Sequence, residues 1–522
     1  MKQVDEPLPD AEPDERTPLL ARRDAGEAGQ QVAASRTPLP VFQVFILCSL
    51  RFCEPVGMAL IFPFVNQQLV ELGIADEDNV GYLSGVIESL FSLAQFATIL
   101  QIGRLSDRIG RKPVILGGLA GVTLSATAFG LSQSFAAMAI SRALAGGLNG
   151  NAAVIKSMLA ELTDETNQGL AFSFLPLSWA LGTVVAPLIG GLLPHPVERY
   201  PRVFGRSTFL KAYPYSFLPC FVGALFPLFG VIVGSFFLKE TLPSRVNREL
   251  DKGLGGEGQQ EIDAHDGLPP PPPVELVSDE RPTVLSLLRD QQIVAILVAY
   301  SFLALQTISL AALVPLFGYT PIRLGGLSLS EPDLGAALSF QGFAVLFFQV
   351  IVFPIAQRRM GTLPLYRSAM AMYPFVFVLL PVTHLLAKQQ SDRTGLWIFL
   401  LFTLLVSSIG NMVFGCNMII VNGAAPSQAA LGTLNGLAQS CAALVRAIGP
   451  AASTALFAFG IDHHILGGLL IWVLLFAVSL CAFASTFALK DNKAAWRQAE
   501  PRSQTPSRTP RQLSEESSEA GR

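Results

Sequence analysis

The chain has 522 residues, of which 51% are hydrophobic and 14% are charged, and its mean hydropathy is +0.47. A typical soluble domain carries about 25% charged residues, so this composition excludes an ordinary water-soluble protein. The net charge of −3 and the lack of a basic, aromatic-interleaved patch also exclude a nucleic-acid-binding protein.

The charges are concentrated in three segments. Residues 1–40, 239–290 and 490–522 hold 42 of the 75 Asp, Glu, Lys and Arg side chains. About 8% of the remaining residues are charged, and they divide into apolar blocks long enough for the roughly 20 residues of a membrane-crossing helix. The sequence therefore predicts a polytopic, all-α membrane protein embedded in a lipid bilayer.

The first segment, residues 1–40, is acidic and proline-rich and contains no apolar signal-peptide core. We expect a disordered cytoplasmic tail here. It contains Glu15-Arg16-Thr17-Pro18-Leu19-Leu20, which fits an acidic dileucine sorting signal. The plasma membrane is the expected location, and this motif makes a vacuolar membrane the alternative.

Apolar runs and the polar breaks between them predict twelve membrane-spanning helices. Six lie in residues 41–238 and six in residues 291–487, separated by a disordered cytoplasmic linker, residues 239–290, and followed by a cytoplasmic tail, residues 488–522. The twelve helices are predicted near 41–65, 80–100, 113–131, 135–156, 170–193, 214–238, 291–318, 333–356, 365–387, 395–421, 432–456 and 465–487.

The orientation follows from basic residues in short loops, because cytoplasmic loops hold more Lys and Arg. The loop after the second helix has four basic residues between 104 and 112, and the loop after the eighth has Arg358 and Arg359. Both termini are therefore placed in the cytoplasm. The loop 194–213, also with four basic residues, is the exception, since this topology places it outside.

The two groups of helices contain an internal repeat. Arg108-x-Gly110-x-x-Pro113 recurs as Arg359-x-Gly361-x-x-Pro364, each just before the third helix of its half. Repeats of this kind are how many transporters achieve alternating access to a central site.

The loop Gly-Arg-Leu-Ser-Asp-Arg-Ile-Gly-Arg-Lys-Pro, residues 103–113, resembles the signature loop between helices two and three of the major facilitator superfamily. The resemblance covers about residues 41–487 and implies the major facilitator fold, two six-helix halves related by pseudo-symmetry. It also implies a conformational latch that holds the halves together in the outward-open state, although a loop that only sets topology would also be basic. The latch residues would be Gly103, Asp107, Arg108, Gly110, Arg111 and Lys112.

The predicted fifth helix contains Gly182-x-x-x-Ala186-Pro187-x-x-Gly190-Gly191. This run resembles a motif of drug/proton antiporters in the same superfamily, with Ala186 replacing the usual glycine, and it implies export. Small residues used only for helix packing are the alternative explanation.

Three further runs resemble a fungal branch of these antiporter-like facilitators, related to plant zinc-induced facilitators. They are Arg51-x-x-Glu54-Pro55, Gly81-Tyr82-x-x-Gly85-x-Ile87-Glu88-Ser89, and Leu434 to Pro450. Members differ in substrate, so the resemblance implies a mechanism more than a ligand.

Six charged residues lie well inside the predicted helices: Arg51, Glu54, Glu88, Arg142, Lys156 and Arg446. Charges inside a membrane are costly and usually face the interior of the bundle. We expect Glu54 or Glu88 to take up and release a proton, assisted by Arg51 and by Arg142, whose surroundings resemble the superfamily's basic motif in helix four. Salt bridges that only stabilise the helices are the alternative.

Polar and aromatic residues on otherwise apolar helices are candidates to line a substrate cavity, although most such residues form helix-to-helix hydrogen bonds. A largely apolar cavity would suit an amphipathic organic substrate. The candidates are Asn149, Asn151, Trp179, Gln306, Gln341, Asn435, Gln439 and Arg446.

These patterns predict a secondary active transporter, a proton-coupled antiporter that exports a small organic molecule such as a drug, toxin or secondary metabolite. Proton-coupled uptake of a nutrient or metal chelate is the alternative, and a transporter-like nutrient sensor is less favoured. No nucleophile–base pair, metal cluster or phosphate-binding loop suggests an enzyme. We expect no cofactor, no bound metal and a monomer.

Overall fold

The apolar runs form long α-helices in the computed structural model, which describes residues 37–163, 167–213, 215–242, 284–389, 393–426 and 430–490. Most of the two predicted tails and most of the predicted linker lie outside these residues, as does the dileucine motif. The helices of the first half are α1 (Val41–Ala59), α2 (Val80–Ile109), α3 (Arg111–Gly130), α4 (Phe135–Leu148 and Asn151–Glu161), α5 (Gln168–Leu192) and α6 (Phe217–Phe237).

The second half repeats this order. Its helices are α7 (Gln291–Tyr319), α8 (Glu331–Met360), α9 (Thr362–Gln389), α10 (Arg393–Gly423), α11 (Ala430–Asp462) and α12 (Leu470–Ser485). Helix α8 includes a π-helical turn, Phe348–Val352. Shorter helices lie between them at Val65–Glu71, Pro196–Arg199, Pro201–Phe204, Thr208–Ala212 and Val284–Leu287, with 3₁₀ turns at Ile322–Leu324, Ile465–Gly468 and Thr486–Ala488.

Each predicted span corresponds to one of these twelve helices, and the all-α membrane fold is confirmed. Among the described residues, eleven helical segments are long and apolar enough to cross a membrane. The twelfth, α4, is divided into pieces of 14 and 11 residues at Asn149 and Gly150. Hydropathy does not detect this break, because the sequence on both sides remains apolar.

The sequence repeat has a conformational cause. Gly110, between α2 and α3, has φ 108° and ψ 157°, and Gly361, between α8 and α9, has φ 83° and ψ 166°. Side chains with a Cβ rarely adopt such positive φ angles, so each half requires glycine where one helix turns sharply into the next.

The halves meet mainly along two helix pairs, α2 with α11 and α5 with α8. Exchanging the halves converts one pair into the other, as pseudo-two-fold symmetry requires. We call the side where α6 ends and α7 begins the linker face, and the opposite side the far face. Hydrogen bonds that join the halves cluster in the far-face part: Ser89 Oγ accepts from Ala451 N (2.9 Å) and Ser339 Oγ donates to Val184 O (3.0 Å).

Glycines allow the backbones to approach closely at these contacts. A Cβ on Gly85 of α2 would lie 3.0 Å from both Ala451 Cα and Pro450 O of α11. A Cβ on Gly191 of α5 would lie 2.7 Å from Gly335 Cα of α8. From the position of these contacts we infer that the far face is closed and that the space between the halves opens toward the linker face.

A methyl group at Gly85 should open the far face. Overpacking a close contact costs about 1–3 kcal/mol, so Gly85→Ala should shift the population about tenfold toward a far-open state. The measurement is the distance between spin labels replacing the exposed Asp78 and Asp462, with native cysteines replaced. Gly117→Ala in α3 is the control, since its Cβ would have no neighbour within 4 Å. Unchanged short distances in Gly85→Ala would contradict this account of the closure.

Candidate functional site

A buried acid and a buried base lie within electrostatic range of each other inside the first half. Glu88 of α2 is 8% exposed and Arg142 of α4 is 4% exposed, and the charge of Glu88 acts on Arg142. Arg142 Nη1 donates to Gly57 O (3.1 Å), and its guanidinium lies 4.8 Å from the centre of the Phe91 ring. Arg142 is thus held by a carbonyl group and an aromatic face, with the Glu88 carboxyl group within electrostatic range.

Arg142 and Glu54 line the same pocket within the first half. Asn149, at the break in α4, lines it as well, together with Ser125 and Ser141, while the other walls are mostly apolar. The main-chain carbonyl of Asn149 accepts a hydrogen bond from Gln95 (2.8 Å). The structure therefore brings the predicted proton-coupling residues of α1, α2 and α4 close to one cavity.

Arg51 and Glu54 form an ion pair along α1, as their spacing of three allows. The Arg51 guanidinium also lies 4.9 Å from the centre of the Trp179 ring of α5. Glu54 faces the pocket of Arg142, whereas Arg51 is within electrostatic range of Arg446 of α11. This pair therefore connects the pocket to the space between the halves.

The space between the halves brings together basic side chains from three helices. Lys156 of α4 is within electrostatic range of both Arg51 and Arg446. On the side of the second half, Gln439 Nε2 donates to the hydroxyl of Tyr300 (3.3 Å), which lies in the field of Arg446. Lys156 and Arg446 are both half-buried. We call Arg51, Lys156 and Arg446 the cationic cluster.

Four other cavity candidates contact neighbouring helices in this conformation. Asn151 packs against Gly118 of α3. Gln306 is completely buried and donates to Met370 S (3.1 Å). Further hydrogen bonds link Gln341 to Ser407 (3.2 Å) and Asn435 to Asn422 (2.8 Å).

The signature loop binds to its own half. Arg111 donates to Asp107 and Ser106 in the loop and to Glu161 at the end of α4 (2.8 Å). The Asp107 side chain is 61% exposed, and Arg108 is also exposed. The space beside Gly103 is empty. Among the described residues, no hydrogen bond or ion pair thus joins the predicted latch residues to the second half in this conformation.

Glu240, in the segment after α6, anchors this loop and was missed by sequence reasoning. It accepts the backbone N–H groups of Arg111 (2.9 Å) and Lys112 (3.1 Å) at the first turn of α3. Partial burial opposes its charge, but four backbone hydrogen bonds outweigh that effect and hold the pKa of Glu240 below its ordinary value. In the sequence, Glu240 could have been recognised only as the first acidic residue after α6.

The glycine-rich run of α5 contacts two helices. A Cβ on Gly182 would lie 2.9 Å from Phe52 O of α1, and one on Gly190 would clash with Leu60 O, just after α1. Pro187 and Gly191 instead face Gly335 of α8. The run therefore lies where the first half is packed tightly and meets the second.

A cluster of charges joins the halves at the far face. Glu331, the buried first residue of α8, accepts a hydrogen bond from Arg199 Nη2 (3.3 Å), and its carboxylate lies 3.2 Å from His195 Nε2. Arg199 Nη1 also donates to Gly191 O at the end of α5 (2.8 Å). Arg199, one of the basic residues in the exceptional loop, thus has a structural role independent of topology. Sequence reasoning assigned no role to His195 or Glu331.

His195 is surrounded by acids. Glu71 lies 3.7 Å and Glu198 3.9 Å from its ring nitrogens, and the Tyr215 ring packs edge-on against it at 5.1 Å. The close contact with the Glu331 carboxylate is the main cause that raises the pKa of His195, and the neighbouring acids add to it against partial burial. Protonated His195 therefore stabilises the closed far face.

Twelve helices in two pseudo-symmetric halves, with charged residues facing a shared central space, define a membrane transporter. A family model described as Major Facilitator Superfamily matches residues 47–450, and the chain belongs to this superfamily. The predicted family is therefore confirmed.

Relatives and a solved structure agree with this assignment. The chain is 31% identical to the "Major facilitator superfamily multidrug transporter mfsB" of Aspergillus fumigatus, over 86% of this chain and 83% of that protein. It is 30% identical to "Protein ZINC INDUCED FACILITATOR-LIKE 1" of Arabidopsis thaliana, over 82% and 86%. The human organic anion transporter MFSD10 (TETRAN) shares the fold, with a TM-score of 0.57, 19% identity and coverage of 86% and 100%.

The closure of the far face should depend on pH. Opening separates His195 from Glu331, and the histidine pKa then returns toward about 6.5. The closed state is therefore fully stabilised below that pH and loses this stabilisation as pH rises through the raised pKa. With spin labels replacing Asp78 and Asp462, the population with a long distance between the labels should be severalfold larger at about pH 8 than at about pH 5.

Glu331→Gln should remove most of this pH dependence, because its neutral amide has no charge to stabilise the imidazolium. Glu198→Gln is the matched control, since Glu198 is 83% exposed and contributes least. An equal response to pH in Glu331→Gln and the unmodified protein would show that another group controls closure.

Proposed function

We propose that this protein is a proton-coupled antiporter that exports small organic molecules by alternating access. The observation that carries the proposal is the pair of Glu88 and Arg142, buried together inside the first half, next to a pocket that reaches Glu54. A carboxyl group held away from water is stable when it carries a proton and costly when charged without a partner. Such a group can exchange protons as its surroundings change.

The proposed cycle uses these groups in sequence. In the conformation described here, Glu88 has no direct hydrogen-bond or ion-pair partner among the described residues, so we assign it the bound proton. Small movements of α2 and α4 that bring Arg142 onto Glu88 would stabilise the carboxylate and release the proton. Because α2 also forms half of the closure with α11, protonation is linked mechanically to which face is open.

The direction of transport rests on two supports. The run Gly182 to Gly191 of α5 resembles the antiporter motif and lies at the contact with α8. A relative with 31% identity is described as a multidrug transporter. We further propose that the linker face is cytoplasmic and that the protein acts in the plasma membrane, with the vacuolar membrane as the alternative, which imaging of the tagged protein would decide.

The test is retention of a panel of drugs, secondary metabolites and metal chelates in deletion and overexpressing strains, with and without a protonophore. Overexpression should lower retention of an exported compound, and the protonophore should abolish this effect. Glu88→Gln keeps the shape of the protonated acid but cannot release a proton, so we expect gradient-driven export to fall about tenfold or more.

Glu54→Gln tests the second carboxyl group, and Asp78→Asn, which changes an exposed acid at the far face, is the matched control. Export that survives both Glu88→Gln and Glu54→Gln would refute the proton sites. Export insensitive to the protonophore would refute antiport, and increased retention on overexpression would favour uptake.

A further inference from the structure

The cationic cluster carries more positive charge than the protein neutralises. Glu54 pairs with Arg51, which accounts for one of the three cations. Lys156 and Arg446 have no ion-pair partner among the described residues. These two cations come from different halves, α4 and α11, and Lys156 lies within electrostatic range of Arg446.

Such an arrangement is unfavourable without a counter-ion. A charge inside a membrane is costly and is normally paired with an opposite charge or placed in water, and like charges facing each other add repulsion. Both side chains are only half-buried, so a ligand that enters between the halves can reach them. An anion between the halves would compensate both.

We propose that the central cavity binds small organic anions, with a carboxylate, phosphate or sulfonate group held between Lys156 and Arg446. This inference deepens the proposed function by naming the class of substrate. Lys and Arg are the residues that bind such groups most strongly, Arg through a planar fork of N–H donors.

The rest of the cavity favours a ligand with an aromatic or apolar body. On the side of the first half, Trp179 of α5 packs on Arg51. On the side of the second half, the half-buried Gln439 donates a hydrogen bond to the hydroxyl of Tyr300. An anionic head and a flat body would therefore meet complementary surfaces from both halves. Contacts with both halves also let a bound ligand influence how the halves move.

The test is direct binding to the purified full-length protein in detergent. Fluorescein and rhodamine 123 share a xanthene ring system but differ in charge, and fluorescence anisotropy reports the binding of each. We expect fluorescein to bind more tightly than rhodamine 123 and to lose affinity as salt is added. No fluorescein binding, or a preference for rhodamine 123, would overturn the proposal.

The variants Lys156→Gln and Arg446→Gln should each weaken fluorescein binding by about tenfold while leaving rhodamine 123 no weaker. Lys156→Arg and Arg446→Lys keep the charge and should keep the preference, and Arg202→Gln, an exposed loop residue, is the matched control. Neutral variants that retain the full preference for fluorescein would overturn the assignment of these residues.

The binding measurement needs no proton gradient and no direction of transport. Loss of proton coupling in Glu88→Gln with intact fluorescein preference would leave the anion site standing. Intact protonophore-sensitive export without any preference for anions would leave the antiporter standing and remove the anion site. If neutral variants fail to fold, the comparison of the two dyes in the unmodified protein still decides the proposal.

Discussion

The conformation of this transporter depends on how closely two helix pairs approach at the far face. Gly85 of α2 meets Pro450 of α11, and Gly191 of α5 meets Gly335 of α8. At both places backbone atoms, rather than long side chains, form the contact. Membrane helices gain little from burying apolar groups against one another, so such close packing supplies much of their association. The contact closes the far face, and within the described part of the chain the signature loop has no hydrogen-bond or ion-pair partner in the second half.

The intramembrane charges fall into two connected groups. Glu88 and Arg142 lie inside the first half, beside a pocket lined by Glu54, whereas Lys156 lies within electrostatic range of Arg446 of the second half. The Arg51–Glu54 pair lies between the two groups on a single helix. A change of protonation in one group can therefore alter the electrostatic field at the other group. It can also affect that group through a movement of α1.

Much of this architecture followed from the sequence, because hydropathy and basic loops report directly on the bilayer. All twelve helices were predicted, and the repeat at Gly110 and Gly361 reflected a real backbone requirement. The contacts of His195 with Glu331, and of Glu240 with the start of α3, could not be predicted, since they join residues far apart in the chain. The cavity role of Gln306 and Asn151 remains a prediction. A polar residue on an inward-facing side of a helix can contact either a neighbouring helix or the cavity, and the sequence does not distinguish the two.

Simultaneous distances at both faces test the central claim most directly. One pair of spin labels would replace Asp78 and Asp462 at the far face, and the other would replace the exposed Arg104 and Arg358 at the linker face. As pH changes, populations with a short far-face distance should show a long linker-face distance, and the reverse. Two distances that shorten and lengthen together, or that never change, would contradict alternating access around this cavity.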